Sequence, residues 1–253
     1  MRAIILGQGR IAAACLQRAW TSPHASAIVG LIVDDAIADL ARTLAPRVAA
    51  DALLSSAARA DDAILDLIRR TGAECLISVQ YPWILPKPVL DAVGGRALNL
   101  HNARLPDYRG HNALTHIILA DDAEHTVTLH WMSPVVDRGE HCLEATVRIA
   151  PDETALSLWT KSLDAAVGLF DTALERYEQL RGATPRPILG EGHFYSKTSL
   201  LDLKCIPDGA DLATIDRYAR AFHFPPHEPA YFEHVDGRRT YVVPSYRDPR
   251  SAP

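Results

Sequence analysis

At 253 residues, with 48% hydrophobic and 23% charged residues, the chain is long enough to bury the core of one large α/β domain, with or without a small appendage. A formal net charge of −5 argues against a nucleic acid as the main partner, because binding a polyanion needs clustered Lys and Arg. The four cysteines, Cys15, Cys75, Cys142 and Cys205, lack CxxC spacing and point to neither a disulfide framework nor a zinc ribbon; no apolar run reaches the length of a signal peptide or membrane span, so the expectation is a cytoplasmic protein with no membrane contact.

Residues 2–6 are a short apolar run ending in Gly7-Gln8-Gly9-Arg10-Ile11-Ala12, and Ala13, Leu16, Ala19 and Trp20 follow at helical spacing. Strand, tight turn and helix open a Rossmann-like, doubly wound and mostly parallel sheet. A second strand over 28–33 ends at Asp34-Asp35. Read as a dinucleotide fingerprint, Gly7, Gly9 and Asp34 would make the chain an NAD(P)-dependent oxidoreductase. Any strand-to-helix turn this tight also wants glycine, and a single phosphate at the helix N-terminus is a third reading. The pattern over 36–51 is Ala-rich and weak. Ile64, Leu67 and Ile68 then share one face of a helix over 59–70, closed by Gly72. A buried strand over 75–79 leads into Gln80-Tyr81-Pro82-Trp83-Ile84-Leu85-Pro86, where prolines stop the strand. That segment is either a plain loop or one wall of a pocket at the carboxyl ends of the strands, where open α/β sheets bind ligands. Pro86 and Pro88 start a helix that runs to Val93 and stops at Gly94-Gly95, and 96–100 is a further strand.

The stretch 98–141 is the most chemically loaded. Asn99 and His101 stand two apart on a strand, so they share a face and can present an amide donor and an imidazole to one reacting atom. Residues 105–110 make a turn, 112–120 a helix, 126–132 a half-buried strand and 142–149 the returning strand. Asp137 hangs on the loop between those last two strands and can fold back onto Asn99 and His101. Taken singly, these are also an amide at a strand end, a core histidine and a turn aspartate. His111, His116, His125, His130 and His141 show no metal-ligand spacing, so no metal is expected and they read as bystanders.

Together, Asn99-Leu100-His101, Leu105-Pro106-x-Tyr108-Arg109-Gly110 and Val136-Asp137-Arg138-Gly139 resemble the signature of the 10-formyltetrahydrofolate-dependent formyltransferases. The tail from Arg220 through Phe222-His223-Phe224-Pro225-Pro226 to Phe232 is similar to the branch that formylates amino groups on nucleotide-linked sugars. The resemblance implies formyl transfer from 10-formyltetrahydrofolate to a nucleotide-linked amino sugar, dTDP-linked foremost, with GDP or UDP as alternatives. It makes Asn99, His101 and Asp137 the catalytic residues. Donors at Asn99 and His101 would stabilise the oxygen of a tetrahedral intermediate, imidazole would move protons, and Asp137 would orient that ring or act through a water. The resemblance also implies a folate pocket walled by Trp83, Ile84 and Leu85 and by the 126–137 strand and loop, including Val136 and Asp137, and a homodimer. Arg138 departs from the small residue usual before the glycine, and so does 102–104 from a Pro-Ser-Leu type sequence. Methionyl-tRNA formyltransferase is the nearest alternative in chemistry, with further C-terminal sequence and a basic tRNA surface; a non-catalytic nucleotide-binding module leaves the trio unexplained.

Asp152-Glu153 head a long helix whose Leu156, Trp159, Leu163, Ala166, Phe170, Leu174 and Tyr177 form a core stripe ending at Gly182. A linker over 184–192 gives the division expected here, a catalytic domain over 1–182 and a small subdomain over 183–253. In the latter, Phe194-Tyr195-Ser196-Lys197 enters a short helix, 212–221 is another helix, and 231–243 is a hairpin turned by Asp236-Gly237. Phe222 and Phe224 either anchor that hairpin or stack a nucleotide base, while Tyr195, Lys197 or Arg220 meets its phosphates.

Overall fold

The computed structural model describes residues 1–44, 48–57, 60–184 and 186–244. The first half alternates as expected: β1 (Ala3–Gly7), α1 (Gly9–Trp20), β2 (Ile28–Val33), α2 (Asp35–Leu44), β3 (Leu53–Ser55), α3 (Asp61–Thr71), β4 (Cys75–Val79), α4 (Lys87–Ala92) and β5 (Ala97–His101). The middle carries β6 (Tyr108–Gly110), α5 (Ala113–Leu119), β7 (Glu124–Trp131) and β8 (Glu140–Arg148). There follow α6 (Ala155–Glu175), α7 (Tyr177–Gly182), β9 (His193–Tyr195), α8 (Leu212–Ala221), β10 (Ala230–Glu233) and β11 (Arg239–Val242).

Seven strands make one sheet in the order β3-β2-β1-β4-β5-β7-β8. The pairs from β3 to β5 are parallel, and β7 runs antiparallel to β5. Parallel strands need both faces covered, and the sequence supplies this: Ala3, Ile4, Ile5 and Leu6 of β1 and Leu76 and Ile77 of β4 are all 0% exposed. On one side Ile4, Leu6 and Leu76 pack with Ile64 and Leu67 of α3 and with Val89 and Leu90 of α4. Each such side chain contributes on the order of 1.5–3 kcal/mol by leaving water.

The described residues of 1–109, 126–146 and 163–193 form one compact unit, and those of 110–125, 147–162 and 194–244 form a second. The second unit holds α5, α8 and the β10–β11 hairpin. Asp211 caps α8 by accepting from the Thr214 amide at 2.8 Å. Lys204, Arg239 and Tyr241 all donate to the Glu228 carboxylate, which ties the hairpin to the segment before α8.

Several local expectations are corrected. The weak 36–51 pattern contains α2, started by a capping aspartate at its boundary. The helix ending at Gly182 is interrupted at Arg176, where the backbone leaves the helical region (φ −107°, ψ 19°). Phe194 and Tyr195 belong to β9, which pairs with β6 inside the stretch read as a turn, and Lys197 lies in the turn that follows. Glycine permits that pairing: a Cβ on Gly110 would stand 2.3 Å from the Tyr195 carbonyl oxygen. Arg59, the expected start of α3, and Pro185 in the expected linker lie outside the described residues.

Candidate active site

Asn99, His101, Asp137 and one further residue, His130, come together in the first unit. The antiparallel register sets Asn99 opposite His130. His130 is 1% exposed, and its Nδ1–H donates to the Trp131 carbonyl at 3.0 Å. That bond leaves Nε2 as the acceptor, and the Asn99 amide donates to it at 3.1 Å. The other Asn99 proton reaches Asp137 Oδ1 at 3.5 Å, the limit of hydrogen bonding. The reading of His130 as a bystander is therefore corrected: it fixes the rotation of the Asn99 amide.

His101 is held from the opposite side. Its Nε2–H donates to the Tyr108 carbonyl at 2.7 Å, so the Leu105–Gly110 segment does more than turn the chain; it selects the tautomer. Nδ1 then faces Asp137 Oδ1 at 3.7 Å, and the same oxygen lies 3.7 Å from His130 Nε2. The His101 and Asp137 side chains are only 10% and 8% exposed. A proton taken up at Nδ1 would thus arrive next to a carboxylate shielded from bulk water, where electrostatic attraction is strengthened.

The loop that delivers Asp137 is held by its backbone. Asp137 adopts the left-handed conformation (φ 53°), tolerable for aspartate and costly for most side chains. Gly139 packs so closely on β7 that a Cβ would lie 1.6 Å from the Trp131 carbonyl oxygen, which explains a glycine two residues after the acid. Ser133 closes the front of the loop through bonds to Val135. Arg138 explains its own departure from a small residue: its guanidinium donates to the Gly190 and Glu191 carbonyls, pinning the loop to that strap. Arg109 donates to the same Glu191 carbonyl at 3.0 Å.

Of the residues expected around a folate, Trp83 and Ile84 are 37% and 57% exposed, and Val136 is half-buried. The Trp83 indole N–H is anchored on the Ser56 carbonyl at 3.0 Å, which leaves apolar surface displayed on a fixed ring. Leu85 is 2% exposed and belongs to the core with Val89 and Leu90. Tyr195, Lys197, Arg220, Phe222 and Phe224 all lie in the second unit. Lys197 is exposed. Arg220 is engaged by Asp216 and by the Glu153 carbonyl, Phe222 is 4% exposed, and Phe224 meets Trp159 edge-on at 6.0 Å.

The glycine turn has a different occupant from the ones considered. Asp34 Oδ2 accepts from the Gly9 amide at 2.7 Å while Oδ1 accepts from Ile37 at 2.9 Å, so one carboxylate closes the turn and caps α2. The acid a ribose would need is spent on the backbone, and a Cβ on Gly7 would meet Ala12 at 2.7 Å. Among the described residues no group of His, Cys, Asp and Glu could hold a metal, and no helix is long and apolar enough to cross a membrane.

Fold and site together are a mostly parallel α/β sheet with an amide, two imidazoles and a carboxylate gathered at β5, β7 and the loop after them, a set able to donate hydrogen bonds and exchange protons. Residues 1–174 match the family model described as Formyl transferase, and the chain belongs to that family. It is 28% identical over 172 residues to a GDP-perosamine N-formyltransferase of Brucella melitensis, covering 68% of this chain and 64% of that one. It is 37% identical over 135 residues to a methionyl-tRNA formyltransferase of Burkholderia orbicola, covering 53% and 41%. The chain thus spans less than two thirds of the length of these relatives. The N-formyltransferase from Helicobacter canadensis, solved with folinic acid and dTDP-3-aminofucose, shares the fold with a TM-score of 0.67 at 17% identity, over 90% of this chain and 83% of that one.

Proposed function

We propose that the chain moves a formyl group from 10-formyltetrahydrofolate to the amino group of a nucleotide-linked amino sugar. The observation that carries this reading is His101 set between two acceptors, the Tyr108 carbonyl at Nε2 and the Asp137 carboxylate facing Nδ1. The attacking amine must lose a proton, and His101 Nδ1 is the nitrogen free to take it. The imidazolium so formed is stabilised by Asp137 and returns the proton to the departing folate nitrogen when the tetrahedral intermediate collapses. The long bond from Asn99 to Asp137 is easily exchanged, so that amide proton can turn to the developing oxyanion while His130 keeps the amide plane fixed. No covalent enzyme intermediate is needed. Nor is a thiol available for one in the buried set: burial pushes Cys75 and Cys142 up to about 12 and Cys15 higher still.

The exposed Trp83 and Ile84 offer apolar surface for the pterin ring, in the same unit as Val136 and Asp137. The folinic acid named with the Helicobacter canadensis protein supports a folate donor, and its dTDP-3-aminofucose supports a dTDP-sugar acceptor. The Brucella melitensis relative keeps a GDP-sugar as the competing choice, and the Burkholderia orbicola relative keeps methionyl-tRNA.

The test gives the purified chain 10-formyltetrahydrofolate together with dTDP-, GDP- or UDP-linked amino sugars, or with methionyl-tRNA. Tetrahydrofolate release matched by one added formyl group on a nucleotide sugar is the expected result. Formylation of methionyl-tRNA alone would move the acceptor to tRNA, and no transfer to any amine would overturn the proposal.

A further inference from the structure

The N-terminal end of α5 is built for something other than α5. Asn112 occupies the capping position, yet its side chain makes no capping bond, and its backbone is left-handed (φ 60°). Such a cap is typically worth about 1 kcal/mol to a helix. The Asn112 amide instead donates to three acceptors on the segment after β9: the Ser196 and Lys197 carbonyls and Ser199 Oγ, each at 3.3 Å. One turn along, His116 is 8% exposed and stacks on the Tyr195 ring, centroids 3.7 Å apart at 22°. Its Nε2 bonds to the same Ser199 hydroxyl at 2.9 Å. The Tyr195 carbonyl, finally, accepts from the His111 amide at 2.8 Å.

These contacts converge on a short turn whose central side chain, Lys197, is exposed and has no hydrogen-bond or ion-pair partner among the described residues. Two polar side chains of the helix, one of them buried, are thus committed to holding the turn that displays one unpaired cation. We infer that Asn112 and His116 are positioning residues that hold the Tyr195–Ser199 turn so that Lys197 meets the diphosphate of the nucleotide-linked substrate. The inference rests on the proposed acceptor and names the residues that set its affinity. A rigid turn matters here because a lysine ammonium on a mobile loop must be ordered at the moment of binding, which weakens affinity.

The experiment is a double-mutant cycle of His116→Phe, which keeps a flat ring over Tyr195, and Ser199→Ala, which keeps the imidazole. Each is measured for the KM of the nucleotide sugar that the wild type turns over, for the folate KM, and for binding of the free nucleoside diphosphate by calorimetry. Losing the shared hydrogen bond should raise the nucleotide-sugar KM and the diphosphate Kd about fivefold in either variant, with the double variant no worse than the weaker single and the folate KM within about twofold. If His116→Phe does not fold, Ser199→Ala carries the same expectation alone. Unchanged diphosphate affinity, or equal rises for folate and nucleotide sugar, overturns the assignment. A wild type that binds the diphosphate through this turn but formylates no nucleotide sugar would defeat the proposed reaction and leave the clamp standing.

Discussion

Three histidines of this chain are all buried or nearly so, and their partners give them different work. Both ring nitrogens of His130 are used, one on a carbonyl and one on Asn99, so it serves as a fixed acceptor. His101 keeps Nδ1 turned to a carboxylate and can exchange a proton there. His116 stacks on Tyr195 in a place where burial pushes its pKa from 6.5 down to about 4. In the unfolded chain His116 takes up a proton near pH 6.5, whereas the folded chain resists until about pH 4, so stability is complete above pH 6.5 and falls as the pH drops through that window. The loss from this residue reaches about 3 kcal/mol at the acid end, from roughly 1.4 kcal/mol per pKa unit. Urea titrations of the wild type and His116→Phe between pH 7 and pH 4 should show a flatter dependence in the variant; parallel curves would contradict the assignment of the acid limb to this ring.

At the scale of elements, the 133–138 loop turns on Gly139, where a Cβ meets the Trp131 carbonyl oxygen. Gly139→Ala must therefore move the backbone of the segment that carries Asp137. A displacement near 1 Å of a catalytic group costs roughly 100-fold in rate, so kcat should fall by about that factor while both KM values change much less. Steady-state kinetics decide it, and a kcat within about twofold of wild type would mean that the loop absorbs the methyl group.

This loop also shows what the sequence could carry and what it could not. The apolar runs predicted β2 and β4 at their observed bounds, and the helix read over 212–221 coincides with α8, because such signals are local. Asn99 and His101 on one strand face, and Asp137 folding back to them, were legible from strand period and hairpin length together with the family signature. The role of His130 was not, because it depends on the β5–β7 register, a pairing between strands with residues 102–123 between them. Tyr108 escaped for a related reason: its contribution is a backbone carbonyl, which every residue type possesses. Asp34 was misleading as a ribose ligand because a helix cap and a ribose acid ask for the same carboxylate at the end of the second strand.

At the scale of the molecule, the open α/β sheet and the family match account for the scaffold, and the proposed transfer of a formyl group without a covalent enzyme intermediate gives work to all four side chains. The residues proposed for the chemistry lie on β5, β7 and the Asp137 loop of the first unit, and those proposed to meet the acceptor lie in the second. The most direct measurement of the central claim is single-turnover formyl transfer by wild type, His101→Ala and Asp137→Asn, each checked to be folded by its thermal transition. The account predicts that both variants lose at least about 100-fold in the rate of transfer, the lower end of what positioned acid–base groups supply, while still binding folate. Transfer at a near-wild-type rate by either folded variant would contradict it.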